Sequence, residues 1–276
     1  MLFRSQRWSG EPSVTAALTE KLSDTNALVR QMAVQSLAPL IEQPEVKTAL
    51  QNKLQDRSRN VRVEAARVLA ATLDTNSLAG SEYLHFLDQI SDQPLGQLQR
   101  GGFDLHRGDA TNALKHFQTA AQWDAFSPGI RHELAMILSQ MGRSADAVKE
   151  LESAVKLAPH DAEFHYKLAL ALNETGDREK VLAELETAVK LDPRHARAGY
   201  NLGLARHAAG NSVGAIQALL AAESADPHDP RIPYARATIH AQIGQANEAQ
   251  QAAQRALELN PQSAEAAALL RQLSGQ

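Results

Sequence analysis

The sequence predicts an all-α protein, an α-solenoid in which antiparallel helix pairs stack into a superhelix. Three observations predict it. Gly108, Gly142, Gly176, Gly210 and Gly244 lie 34 residues apart without drift. Ala120, Ala154, Ala188, Ala222 and Ala256 keep that step, as do Pro159, Pro193, Pro227 and Pro261. Ahead of them the chain repeats at a different step, 32 residues: Val14, Leu18, Leu22, Asp24, Val29, Arg30, Ala33, Leu37 and Ala38 recur as Val46, Leu50, Leu54, Asp56, Val61, Arg62, Ala65, Leu69 and Ala70. Fixed periods of this length mark supersecondary units that bury their apolar faces only against neighbours of the same kind.

The elements follow in chain order. Residues 1–12, MLFRSQRWSGEP, are an N-terminal extension; they carry two arginines without an apolar run behind them and do not read as a secretory signal. Residues 13–78 form two repeats whose apolar positions step by four, as on one helix face. An Asp in the short turn and a Val-Arg pair opening the second helix resemble a HEAT repeat. Residues 79–93 read as a bridging helix through Leu84, Leu87 and Ile90, without the low complexity of a flexible linker.

Residues 94–262 hold five 34-residue units that resemble tetratricopeptide repeats (TPRs). Glycine ends the first helix of each unit, where a residue without Cβ turns at little cost. Alanine sits where the second helix crosses its neighbours closely. Proline closes the unit because it cannot continue a helix. Some positions depart from the motif. The early aromatic is replaced by Gln97, Arg131, His165, Gly199 and Pro233, and the late large residue runs Phe117, Leu151, Leu185, Leu219, then only Ala253. Residues 263–276 supply a capping helix.

Composition narrows the function. There is no cysteine, so disulfides, thiolate catalysis and zinc ribbons are excluded within this chain. No run approaches the roughly 20 apolar residues of a membrane span. Ten histidines are scattered, and no HExxH, Walker loop, GxSxG or GxGxxG occurs, so neither a metal nor another cofactor is expected. With the repeats assigned, no residues remain for a catalytic domain, and the chain is not expected to be an enzyme. Net charge is −4; Lys53, Arg57, Arg59, Arg62 and Arg67 cluster near one turn without interleaved aromatics, so nucleic acid is not the expected partner.

A protein or peptide partner is. In a TPR superhelix the first helices line the concave face. Their fifth positions here are Leu98, His132, Tyr166, Tyr200 and Tyr234. The three tyrosines form a ladder that either presents large amphipathic rings to a partner or packs between successive first helices. Met136, Asn173, Glu174, Arg197, His207, Arg231 and Thr238 fall on the same face, and the two arginines suit ligand carboxylates. No fifth position is lysine and no ninth is asparagine, which argues against the clamp that grips a chaperone's C-terminal carboxylates.

The wider order also resembles a known family. The stretch LQDRSRNVRVEAARVLA (54–70), then Glu82-Tyr83-Leu84, then Asp92-x-Pro94 and the TPRs, is similar to the C-terminal HEAT and TPR tail of bacterial multihaem c-type cytochromes. That likeness implies a non-haem assembly module of an electron-transfer protein in an extracytoplasmic, periplasmic setting; without it, a cytoplasmic scaffold is expected. The CxxCH haem motif does not occur here, so no redox residue carries over.

Overall fold

A computed structural model describes residues 12–275; the expected extension, apart from Pro12, lies outside them. The described residues form helices and turns, with no strand among them. They divide into two compact units, up to Ala125 and from Phe126 onward. No described helix is long and apolar enough to cross a membrane.

The first unit contains α1 (Pro12–Lys21), α2 (Ala27–Leu37), α3 (Pro44–Asn52), α4 (Arg59–Val68), α5 (Leu78–Gln89), α6 (Pro94–His106) and α7 (Ala110–Trp123), with one-turn 3-10 extensions after α2, α3 and α4. The recurring apolar positions form its first core: Leu22, Ala33 and Leu37 join Val46, Leu50, Val61, Ala65 and Leu69. The recurring Asp and Arg do a different job. Asp24, Asp56 and Asp74 each accept the backbone N–H two residues ahead at 2.9 Å, which shapes the turn. Arg30 spans two repeats: Nε and Nη2 donate to both carboxylate oxygens of Asp56 at 2.9 and 2.7 Å, and Nη1 donates to the carbonyls of Asp24 and Thr25. Arg62 repeats the backbone half of this pattern on the Asp56 carbonyl but turns its fork to Glu82 of α5. The basic cluster is thereby largely paired: Lys53 meets Asp56, Arg67 meets Glu64, and Arg57 donates to the Thr25 carbonyl.

The helix expected as a bridge over 79–93 appears as α5 and ends at Gln89. It packs on α4 through Ala79, Tyr83 and Leu87, and Phe103 of α6 joins the same core. Tyr83 meets Phe103 edge-on with centroids 5.7 Å apart. That contact ties α6 and α7, the first 34-residue unit, to the front of the chain, so the compact unit closes after Ala125 rather than at the change of repeat.

The second unit contains α8 (Pro128–Gln140), α9 (Ser144–Leu157), α10 (Ala162–Thr175), α11 (Arg178–Leu191), α12 (Ala196–Ala208), α13 (Ser212–Ala225), α14 (Arg231–Gln242), α15 (Ala246–Leu259) and α16 (Ala264–Leu273). The glycine series does what its spacing predicted. All five have φ between +72° and +83° and stand between first and second helices. The residue after each donates its N–H to the carbonyl five residues back, at 2.8 to 3.2 Å, the six-to-one bond of a Schellman close. The alanine series is fully buried, and each proline follows a second helix by two residues. α16 lays Leu269 and Leu270 against Ala237, Ala252 and Ala253.

Candidate functional site

The first helices of the second unit, α8, α10, α12 and α14, carry the groove candidates His132, Met136, Tyr166, Asn173, Glu174, Arg197, Tyr200, His207, Arg231, Tyr234 and Thr238. The tyrosines do not share one environment. Tyr166 is 6% exposed and takes the packing role. Its ring lies 4.8 Å from His195, its hydroxyl is 3.4 Å from the Asn201 amide, and burial raises its pKa. Tyr200 and Tyr234 are half-buried, with Tyr200 leaning on the core around Leu219 and Ile232.

Two of the three rings are roofed by the arginine that opens the next first helix. Arg197 lies over Tyr166 at 5.4 Å and Arg231 over Tyr200 at 5.7 Å. The two pairs are related by the 34-residue step, and both guanidinium groups remain open to solvent, with side chains 61% and 67% exposed. A cation over an aromatic face is held without being neutralised. Arg231 is also forked by Asp229, whereas Arg197 reaches Glu163 only at 3.5 Å.

Glu163 was not singled out in the sequence, yet it is the electrostatic centre of this region. His195 Nε2 bonds it at 2.9 Å, and Lys167 and Arg197 lie within 3.5 Å. The His195 hydrogen bond, opposed by partial burial and aided by the two cations, brings its carboxyl down from 4.5 to about 2. Because the folded value is depressed, the unfolded chain takes the proton first as pH falls. The stabilisation is complete above 4.5 and is lost toward 2. Glu163→Gln should therefore melt below wild type at neutral pH, and the gap should close across that acid range in a circular dichroism titration. A gap that stays constant with pH would refute the assignment.

The remaining candidates are placed as follows. His132 is half-buried beside Phe164; burial lowers its pKa, and its Nε2 has no hydrogen-bond partner. Met136 and Asn173 are exposed. Glu174 accepts from Ser139 and Ser144, His207 bridges Ser212 and Gln242, and Thr238 donates to its own helix at the Tyr234 carbonyl. His165 is tied to Glu184 at 2.6 Å and to the Pro159 carbonyl. Among the described residues no group of three or more His, Asp or Glu could hold a metal ion.

Two side chains belong with this set that the sequence reading left out. Leu170 and Leu204 occupy the ninth positions of α10 and α12, in step with Met136 on α8, and all three are 37% to 41% exposed. The 34-residue register places them at the ninth position with Gly102, Met136 and Thr238, where the sequence was read only for the absence of asparagine.

Family models for tetratricopeptide repeats match residues 104–171, 140–204, 182–230 and 231–263. A model for HEAT repeats matches 15–93. The chain carries HEAT repeats followed by tetratricopeptide repeats. The HEAT match takes in α5, which explains why the turn before it repeats the Asp-Thr-Asn of residues 24–26 at 74–76. No curated protein matches the sequence. Among solved structures the chain is similar to MamA (24% identity, 60% of this chain and 96% of that one, TM-score 0.56). It is also similar to MamA 41-end from Desulfovibrio magneticus RS-1 (23%, 65% and 96%, 0.54). A third similar structure is YrrB, described as a TPR protein with an unusual peptide-binding site (15%, 67% and 95%, 0.56). At these identities the likeness is one of fold. Nothing in these comparisons supports the kinship with multihaem cytochrome tails.

Proposed function

We propose that this HEAT–TPR protein is a non-catalytic interaction scaffold and that the first-helix face of its TPRs, the concave side in solenoids of this kind, binds a peptide or protein segment. The observation that supports it is an exposed apolar row, Met136, Leu170 and Leu204, running beside two solvent-facing guanidinium groups held over tyrosines. Apolar side chains exposed at one step per repeat gain nothing for the isolated chain, whereas they repay burial under a partner by about 25 cal/mol per Å². Arg197 and Arg231 set the preferred charge: a segment with apolar residues flanked by carboxylates. That YrrB is described as having a peptide-binding site supports the class of ligand.

The test uses peptides selected from a displayed random library on the full chain. Arg197→Glu with Arg231→Glu should weaken the selected acidic peptides by about 100-fold, the scale of two lost charge-assisted contacts. Leu170→Glu with Leu204→Glu should do so comparably, and helical circular dichroism should be kept because all four side chains face solvent. Binding unaffected by both double variants would remove this face as the site.

A further inference from the structure

The solvent face of α13 departs from its sister second helices. At the 34-residue register α9 carries Lys149, Glu152 and Lys156, and α11 carries Glu179, Glu186 and Lys190. The same positions of α13 hold no charge. Its exposed residues are Val213, Gln217, Leu220, Ala221 and Ser224, with Val213 68% and Leu220 44% exposed. Seven residues apart, the valine and leucine lie on one helix face, two turns from each other. The uncharged surface continues onto α15 through Asn247, Gln251 and Gln254, all exposed. α15 lies alongside, since its Arg255 reaches Glu223 of α13 at 3.9 Å. The charges at the border are already paired. Glu223 meets Arg236 at 2.9 Å; Arg206 meets Glu186 at 2.8 Å and donates to the Gly214 carbonyl of α13.

Charge and symmetry name the occupant. The chain carries a net charge of −4, so two copies repel least where they meet through a face without charge. Such a face offers a charged partner nothing to recognise. It does complement itself. About a two-fold axis beside Ile216 and Gln217, two α13 helices run antiparallel, and Val213 of each copy meets Leu220 of the other. Carboxamides both donate and accept, so Gln217, Gln251 and Gln254 can pair with their own kind. Ala221 is small enough to let the helices approach closely. The area sets the strength. A 14-residue helix is about 21 Å long and about 10 Å wide, so α13 with the near side of α15 offers roughly 400 Å² per copy. That is about half of what a stable interface buries on each side and belongs to the transient class.

We infer that the uncharged face of α13 and α15 is a self-association surface, through which two copies of this chain form a weak antiparallel dimer centred on Val213, Gln217 and Leu220. It lies on second helices and does not rest on the first-helix face. Sedimentation equilibrium of the full chain from about 1 to about 500 µM should fit a monomer–dimer equilibrium with Kd of about 10–100 µM, the range of small transient interfaces. Val213→Glu with Leu220→Glu restores the charges that α11 carries at these positions and should raise Kd at least about tenfold, four glutamates then meeting across the axis. Its melting temperature should stay unchanged, because both side chains face solvent. The chain has no cysteine, so one introduced thiol reports the geometry. Gln217→Cys, beside the axis, should form a disulfide-linked dimer under mild oxidation much faster than Ala183→Cys at the matching position of α11. The inference is overturned if the chain stays monomeric throughout the range, or if the double glutamate variant dimerises like the parent. It is also overturned if the two thiols cross-link equally, or if Leu170→Glu with Leu204→Glu abolishes the dimer, which would place self-contact on the first-helix face instead.

Discussion

Asp56→Ala should lower the melting temperature by several degrees, far more than Asp146→Ala, although each removes one carboxylate paired with arginine. The two sites differ in solvent. Arg143 and Asp146 lie on an open turn where water replaces whatever is removed. Arg30 is 4% exposed and Asp56 6%, and the guanidinium is held between two repeats by both carboxylate oxygens and two backbone carbonyls. Without Asp56 the cation stays buried with only part of its donors met, which is the costly half of breaking a buried pair. Burial by itself would raise the Asp56 carboxyl; the Arg30 hydrogen bonds, the Ser58 N–H and Lys53 outweigh it and hold the group below the ordinary carboxylate range. The contribution is thus present above that range and fades as pH drops below it. Equal melting of the two variants would mean that the ladder of turn aspartates does not hold the HEAT repeats together.

This ladder also shows what the sequence could and could not disclose. The recurrence of Asp24 with Asp56 and Arg30 with Arg62 was visible as identity at one offset, and so was the helix face formed by Leu22, Leu37, Leu50 and Leu69. Which Arg meets which Asp was not, because the partner lies one repeat away and the second copy breaks the rule by choosing Glu82. Likewise the glycines announced their turns, since only one residue type tolerates φ near +80° there. The candidate site was legible as a register and illegible as an environment. Period alone grouped Tyr166 with Tyr200 and Tyr234, yet Tyr166 alone is buried, because His195, the N-cap of the following first helix, packs on its ring. Alanine substitution of all three tyrosines would therefore mix a cavity with any loss of contact. Exposed Leu170, Leu204 and Arg231 give the cleaner test. Glu163 escaped notice for the same reason: its partners lie in the next unit, and acidic residues on helices are ordinarily just solvated.

Gly101→Leu should cost about 3 kcal/mol, near the upper end for overpacking, and Phe117→Ala should restore part of the loss. The eighth positions of the first helices read Gly101, Ala135, Ala169, Gly203 and Ala237, and the residues late in the second helices read Phe117, Leu151, Leu185, Leu219 and Ala253. A Cβ on Gly101 would sit 2.7 and 2.8 Å from the Phe117 ring and 3.1 Å from the Ala113 carbonyl. Phenylalanine, the largest of the late residues, thus stands opposite glycine, and the ring occupies the space the missing side chain leaves. Leucine gains about 1 kcal/mol of helix propensity over glycine, so a net loss would have to come from the clash alone. Phe117→Ala by itself opens a cavity worth about 3–5 kcal/mol. In the double variant the leucine fills much of that space, so the combined loss should fall short of the sum by at least about 1 kcal/mol, the mark of residues in direct contact. Simple additivity in denaturant melts would mean that glycine at 101 serves something other than room for the ring. Coupling would show that this solenoid sets the spacing of α6 and α7 by trading volume across the pair, as it does again at Gly203 and Leu219, where a Cβ would approach the leucine to 2.6 Å.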